Sequence, residues 1–331
     1  VVGNITGDSI FYLVYDKNNK LCRDYKGVKV TDFNRKDYGK LAGEVIKITE
    51  DNIFDPQIIQ SDKWRKFKEK LVNVAPNIAD DLEFQIGFFA LARGFDFTHY
   101  YIVKNATPTD IKANISLKEI DKDIAVLKIG SFFTKSENIK LVLDTIQQKT
   151  YKNLIIDLRD NPGGNSEPAS LIANFLTDKV LISGFFPSRK WYEEYKRRPN
   201  EKDLDKFNMT DGDNLETSSK YGFYIQTKGT KSPFKGNVYF LVNGKTGSTA
   251  ECLTIAAREY NLAKIVGQKT AGGLLSAKRF MIDEDIMLFV PVNDFISYKG
   301  YRVDKKGIAP DIETKKGKEL EVLINRTKTS L

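Results

Sequence analysis

The sequence predicts an α/β protein whose main core follows a helical segment and a short β-rich N-terminus. From about residue 102 onward, apolar runs of strand length alternate with segments of helical apolar periodicity, as in a sheet covered by helices. Residues 37–101 instead carry amphipathic stretches separated by polar breaks, and residues 1–36 carry short β-favouring runs broken by turn clusters. At 331 residues and 41% hydrophobic content, the chain can bury a sizeable core.

In the first region, SIFYLVYD (9–16) and VKVTDF (28–33) read as strands, with KNNK and DYKG as turns. Helices are expected over 38–48, 62–72 and 78–93, where Trp64, Phe67, Phe84, Phe88 and Phe89 recur at helical spacing and read as core. Beyond Ile102, strands are expected at 125–129, 153–158, 180–182 and 238–242, and helices at 136–148 and 166–176. Residues 187–235 form a long polar stretch containing WYEEYKRRPNEKDLDKF and the aromatic run YGFYIQ. It reads either as a lid over a cleft or as a charged surface excursion. The predicted division is therefore 1–36, 37–101 and 102–331, with the lid at 187–235.

Two turns carry candidate chemistry. In VNGKTGSTAE (242–251), Ser248 lies between a β-branched and aromatic strand and a helix with Cys252, Ile255 and Ala256 on its apolar face. A serine there either caps the helix, with Glu251 completing a capping box, or serves as a nucleophile beside the Thr249 N–H at the positive end of the helix dipole. NLIIDLRDNPGG (153–164) repeats the layout of strand, tight turn and helix. Gly163 and Gly164 let backbone approach a ligand and aim a second N–H at it; alternatively they serve only a Pro-Gly turn.

DLRDNPGG, NGKTGSTAE, VGQKTAGG and GIAPDI, in that order, resemble the C-terminal processing and tricorn-core serine peptidases over about residues 125–315. The resemblance implies a ClpP/crotonase-like core, hydrolysis of peptide bonds, and Ser248 as the nucleophile. It implies an oxyanion hole from Thr249 with Gly163 or Gly164. Tail-specific members carry a base lysine where Gly273 stands here, and Lys269 and Lys278 are out of register, so a Ser/Lys dyad is not expected. The tricorn-like branch uses histidine and an acid. The single histidine, His99, follows Thr98, which takes the short polar position preceding the base in that branch. Asp304, three residues before the glycine of GIAPDI, occupies the acid position, although that branch has the longer glutamate; Asp96, close to His99 in sequence, is the rival. Some members insert a PDZ domain before the core. Only a short stretch separates Ile102 from the strand at Ala125, so none is expected here.

Composition narrows the partners. The net charge of +8 comes from 52 basic and 44 acidic residues spread along the chain without an aromatic-interleaved basic stripe, which argues against nucleic acid. Two cysteines and one histidine make neither a disulfide framework nor a zinc set, so no metal and no cofactor is expected. The expected partner is a peptide or unfolded protein substrate. No run reaches the ~18 apolar residues of a membrane span, which predicts a soluble chain. The Val-Val-Gly start reads as a mature form from which a signal peptide or anchor was removed, and the resemblance implies export to the periplasm or cell surface. Oligomeric state is not legible. The competing class is a catalytically inactive crotonase-like protein that binds a ligand or peptide; acyl-CoA chemistry has no matching segment.

Overall fold

The computed structural model describes residues 2–7, 9–15, 21–28, 35–104, 115–210 and 220–329. The chain forms two compact units, Val1–Asp37 and Tyr38–Leu331. The first is an antiparallel three-stranded sheet in the order β1 (Val2–Thr6), β2 (Ser9–Tyr15), β3 (Leu21–Val28). The DYKG stretch expected to turn lies inside β3, because Asp24 to Gly27 pair in register with β2; the strand expected at 28–33 lies outside the described residues beyond Val28.

The second unit opens with helices α1 (Tyr38–Asn52), α2 (Pro56–Ile59), α3 (Asp62–Val74) and α4 (Asp81–Ala92). Asp55, Ser61 and Asp80 each accept a backbone N–H from the first turn of α2, α3 and α4, so these starts follow from N-cap chemistry. The apolar faces of α1, α3 and α4 share one cluster with strands that come much later. Trp64, Phe67, Phe84 and Phe88 pack in the same body as Ile102, Leu288 and Val290, whereas Phe89, expected in the core with them, is exposed, since it lies one residue round the helix from Phe88. That core runs across the expected boundary at 101 without a break.

After β4 (Tyr101–Lys104) come β5 (Ile115–Asp121), β6 (Ile124–Ile129), α5 (Ser136–Gln147), β7 (Asn153–Asp157) and α6 (Ser166–Phe175). There follow β8 (Ile182–Pro187), α7 (Arg189–Tyr195), β9 (Asn208–Thr210), β10 (Gly222–Gln226), β11 (Asn237–Val242), α8 (Thr249–Glu259) and β12 (Lys264–Gly267). The chain ends with β13 (Ser276–Met281), β14 (Ile286–Asn293), β15 (Ile296–Ser297), β16 (Ile312–Glu313) and α9 (Glu319–Thr329).

Six strands make the central sheet in the order β16-β12-β11-β7-β6-β5, parallel throughout except for β5. Its residues alternate between two buried faces. Leu127, Ile156, Phe240 and Ile265 join a cluster with α5, α6 and α8, whereas Val126, Ile155, Leu241 and Val266 pack with Leu323 of α9. Truncating a fully buried side chain such as Phe240 to alanine costs about 3–5 kcal/mol. A second sheet runs β15-β8-β10-β9, and a third β13-β14-β4. The aromatic run 221–226 is thus largely strand β10, paired with β8, and Trp191 and Phe223 are buried; the polar-looking stretch 187–235 is built into the fold where described.

Candidate active site

The pairing of β11 with β7 sets Leu241 level with Asp157, so the two candidate turns leave the sheet side by side at the carboxyl ends of parallel strands. They are tied to each other directly: Thr246 Oγ1 donates to the Leu158 carbonyl at 2.8 Å and the Gly247 N–H to the Asn161 carbonyl at 2.9 Å. Asn161, fully buried, pins the first turn by donating to the Ile129 carbonyl and accepting the Gly163 N–H at 2.8 Å. Asp157 is structural: it holds Arg159, which also reaches Glu319.

Gly163 and Gly164 have φ of 102° and 139°, a region that favours glycine. A Cβ on Gly163 would stand 2.6 Å from the Ser248 Cβ and 2.9 Å from the Thr249 N. The first turn therefore lies directly against the serine. Its Gly163 N–H is already taken by Asn161. Among the described residues, neither the Gly164 N–H nor the Thr249 N–H has an acceptor, while the Gly164 carbonyl accepts Thr249 Oγ1 at 2.7 Å. Those two groups are the available donors.

Ser248 opens α8 with φ 53° and ψ −125°, a conformation costing about 1–3 kcal/mol that surrounding contacts must hold. Ser248 is nonetheless the N-cap of α8, with Glu251 three residues on accepting its N–H as a capping box does, in place of the extended angles usual at that position. The Ser248 N–H reaches the Gly273 carbonyl at 2.8 Å and Glu251 Oε2 at 3.2 Å, and the Ser248 carbonyl accepts the N–H groups of Glu251 and Cys252. Glu251 is fully buried. Besides Ser248 it accepts Thr270 Oγ1 and the N–H groups of Gly272 and Gly273 at 2.7 and 2.8 Å, and burial raises its carboxyl against those bonds. Its role as anchor of the Gly272-Gly273 loop was signalled only by its place in Ser-x-x-Glu.

His99 follows a bend, with φ 60°, the left-handed region that histidine tolerates better than most side chains. Its Nδ1 lies 2.8 Å from Thr98 Oγ1. Thr98 in turn donates its hydroxyl to Asp304 Oδ1, and its N–H reaches Asp304 Oδ2 at 3.1 Å. The acid thus meets the imidazole through Thr98. When Asp304 is ionised the hydroxyl gives it its one proton, so it accepts from Nδ1–H and leaves Nε2 unprotonated. Burial lowers His99 from 6.5 to about 4. Asp304 is fully buried; burial raises its carboxyl, opposed by Thr98 and by Arg302. The rival Asp96 faces solvent and pairs with Lys63.

Gly273 links the two halves. Its carbonyl holds the Ser248 N–H, and a Cβ on it would lie 4.0 Å from Thr98 Oγ1 with nothing nearer. A side chain at that position would start toward Thr98. Asp311 lies apart from this group and clamps Ile265 through both its N–H and its carboxylate.

His99, Gly164, Ser248 and Thr249 line one cavity of about 410 Å³ whose walls are mainly apolar, including Phe133, Phe186, Cys252, Leu274 and Phe289. Ile225, Gln226 and Thr227, from the stretch 187–235, form part of its wall. A hydroxyl on a strained turn, an imidazole held at Nδ1 by Thr98 and two unengaged N–H donors around one apolar cavity can support acyl transfer.

Comparison with known proteins gives one family. The profile described as "Peptidase family S41" matches residues 123–314. A tail-specific protease of Haemophilus influenzae is 26% identical over 215 residues, covering 61% of this chain and 26% of that protein. The chain spans less than half the length of the curated relatives it matches. Among solved structures, a lipoprotein from Streptococcus agalactiae superposes with a TM-score of 0.63 at 18% identity, over 91% of this chain and all of that one. The tricorn protease does so at 0.60 and 13% identity, over 99% of this chain and 41% of that one. At such identities the likeness is one of fold.

Proposed function

We propose that this chain, which belongs to peptidase family S41, is a serine peptidase that cleaves peptide bonds through an acyl-enzyme on Ser248. The observation that carries this reading is the Asp304–Thr98–His99 chain of hydrogen bonds, ending at the cavity that Ser248 lines. In this reading His99 Nε2 takes the Ser248 proton as Oγ attacks the scissile carbonyl, and Nδ1–H, held by Thr98, stabilises the imidazolium. The oxyanion rests between the N–H groups of Thr249 and Gly164, and His99 then returns the proton to the leaving amine. Water repeats the sequence on the ester.

The same reading assigns the base to His99 rather than to a lysine, since Gly273 faces Thr98 from the lysine position. It takes the six-stranded sheet with α5, α6 and α8 as a ClpP/crotonase-like core, with the helical segment before it supplying the base and no PDZ domain inserted between Ile102 and Ala125. The substrate is a peptide or unfolded protein entering the apolar cavity. Among the described residues no helix is long and apolar enough to cross a membrane, and the reading places the protein outside the cytoplasm on resemblance alone. The test is hydrolysis of a broad peptide library. Wild type should cleave a subset of peptides and Ser248→Ala none; equal cleavage by both proteins removes Ser248 from the mechanism.

A further inference from the structure

A buried ion pair stands behind the acid of this relay. Arg302 and Asp304 share one short loop, and the Arg302 side chain is largely buried. Its Nε donates to both oxygens of Asp294 at 2.9 and 3.0 Å, its Nη2 reaches Asp304 Oδ2 at 3.5 Å, and its Nη1 the Asp304 carbonyl at 3.4 Å. Asp294 is itself fixed by the Tyr192 hydroxyl at 2.9 Å and the Phe295 N–H at 2.9 Å. One guanidinium therefore serves two buried carboxylates. The other titratable groups facing it are Tyr192 and Asp55, and His99 lies beyond Thr98.

We propose that Arg302 is a positioning residue that sets the tautomer of His99, acting through the charge of Asp304 and the direction of the Thr98 hydroxyl. The inference rests on the relay reading above. While Asp304 is ionised it can only accept, so the Thr98 proton points to it, Thr98 accepts Nδ1–H, and Nε2 keeps its lone pair for Ser248. If Asp304 takes up a proton, that proton is donated to Thr98 Oγ1 and the Thr98 proton turns to Nδ1. Nδ1 gives its own proton to water and Nε2 gains one from water, so the net change is the one proton on Asp304. A protonated Nε2 cannot accept from the serine. Burial drives Asp304 toward that state, and the nearby positive charge of Arg302 opposes it.

Because the chain holds one histidine, its tautomer can be read without assignment by nitrogen NMR of protein labelled with ¹⁵N-histidine. Wild type at neutral pH should show the Nδ1–H form. Arg302→Met should show the Nε2–H form and return to Nδ1–H as pH rises, the midpoint displaced upward by about 1–3 units, the effect of one close opposite charge on a carboxyl. The rate of acylation by a fluorophosphonate should follow the same midpoint, and Arg302→Lys should restore the tautomer largely. Should Arg302→Met not fold, Asp294→Asn with Arg302→Met removes the orphaned second carboxylate and still leaves Asp304 without its counter-charge; the same shift is expected. Nδ1–H in the variant over the whole pH range overturns the inference while leaving the relay standing. Nε2–H in wild type overturns the relay itself.

Discussion

Thr98 and Asp304, 206 positions apart in the sequence, are joined twice: through the threonine hydroxyl and through its backbone N–H at 3.1 Å. The first bond fixes which way the hydroxyl proton points, and the second fixes the backbone that carries His99. Thr98→Val keeps the shape and the N–H bond but removes the hydroxyl. It should lower kcat by about 10²–10⁴, the range seen when an imidazole loses its orienting partner, with KM little changed. Thr98→Ser should retain most activity. Steady-state kinetics on one cleaved peptide decides it, and equal rates for the valine variant take Thr98 out of the relay.

The pH dependence has a definite sign. With His99 lowered from 6.5 to about 4 by burial, the base stays unprotonated well below pH 6. The acid limb of kcat/KM should lie nearer 4 than 6.5. The same shift destabilises the fold in acid: the unfolded chain binds a proton at 6.5 that the folded chain refuses until about 4. Stability should therefore fall as pH drops through that window. His99→Asn, which tolerates the left-handed backbone, should flatten that part of the urea-midpoint profile.

Gly163→Ala places a methyl 2.6 Å from the Ser248 Cβ at a φ of 102°. The predicted cost is about 1–3 kcal/mol of stability. Activity should fall by about 10²–10³, because the serine and the neighbouring N–H donors move together. Urea unfolding and turnover measured on the same preparation separate the two effects. Wild-type turnover in this variant contradicts the placement of the glycine turn against the nucleophile.

Glu251→Ala leaves the N–H groups of Gly272 and Gly273 without their buried acceptor. Each loss should cost about 1–3 kcal/mol. The unfolding midpoint should drop accordingly and activity should disappear with the Ser248 conformation. A variant as stable as wild type would remove Glu251 as the anchor of the 270–273 loop.

These residues differ in how far the sequence exposed them. Gly163, Gly164 and Ser248 sit in turns bounded by apolar strands and periodic helices, a pattern that local residue order carries. His99 stands out because it has no rival of its kind. The relation of Thr98 to Asp304 is different: it depends on loops brought together by separate sheets, and nothing in residue spacing specifies which hydroxyl proton points where. Arg302 reads as one surface cation among 52 basic residues until Asp294 is seen opposite it. The stretch 187–235 reads from its sequence as either a lid or a charged excursion because its charges dominate the composition, whereas its aromatics Trp191 and Phe223 are buried in the fold. Likewise Asp24 to Gly27 have turn chemistry but pair as strand, since tertiary pairing overrides weak local preference.

The most direct test of the central claim is the intact mass of the protein after exposure to a fluorophosphonate. One adduct should form on wild type, map to Ser248, be absent in Ser248→Ala, and form far more slowly in His99→Asn. A wild-type protein that stays unmodified, or an adduct that persists in Ser248→Ala, would contradict the assignment of Ser248 as nucleophile and return it to a structural role at the start of α8.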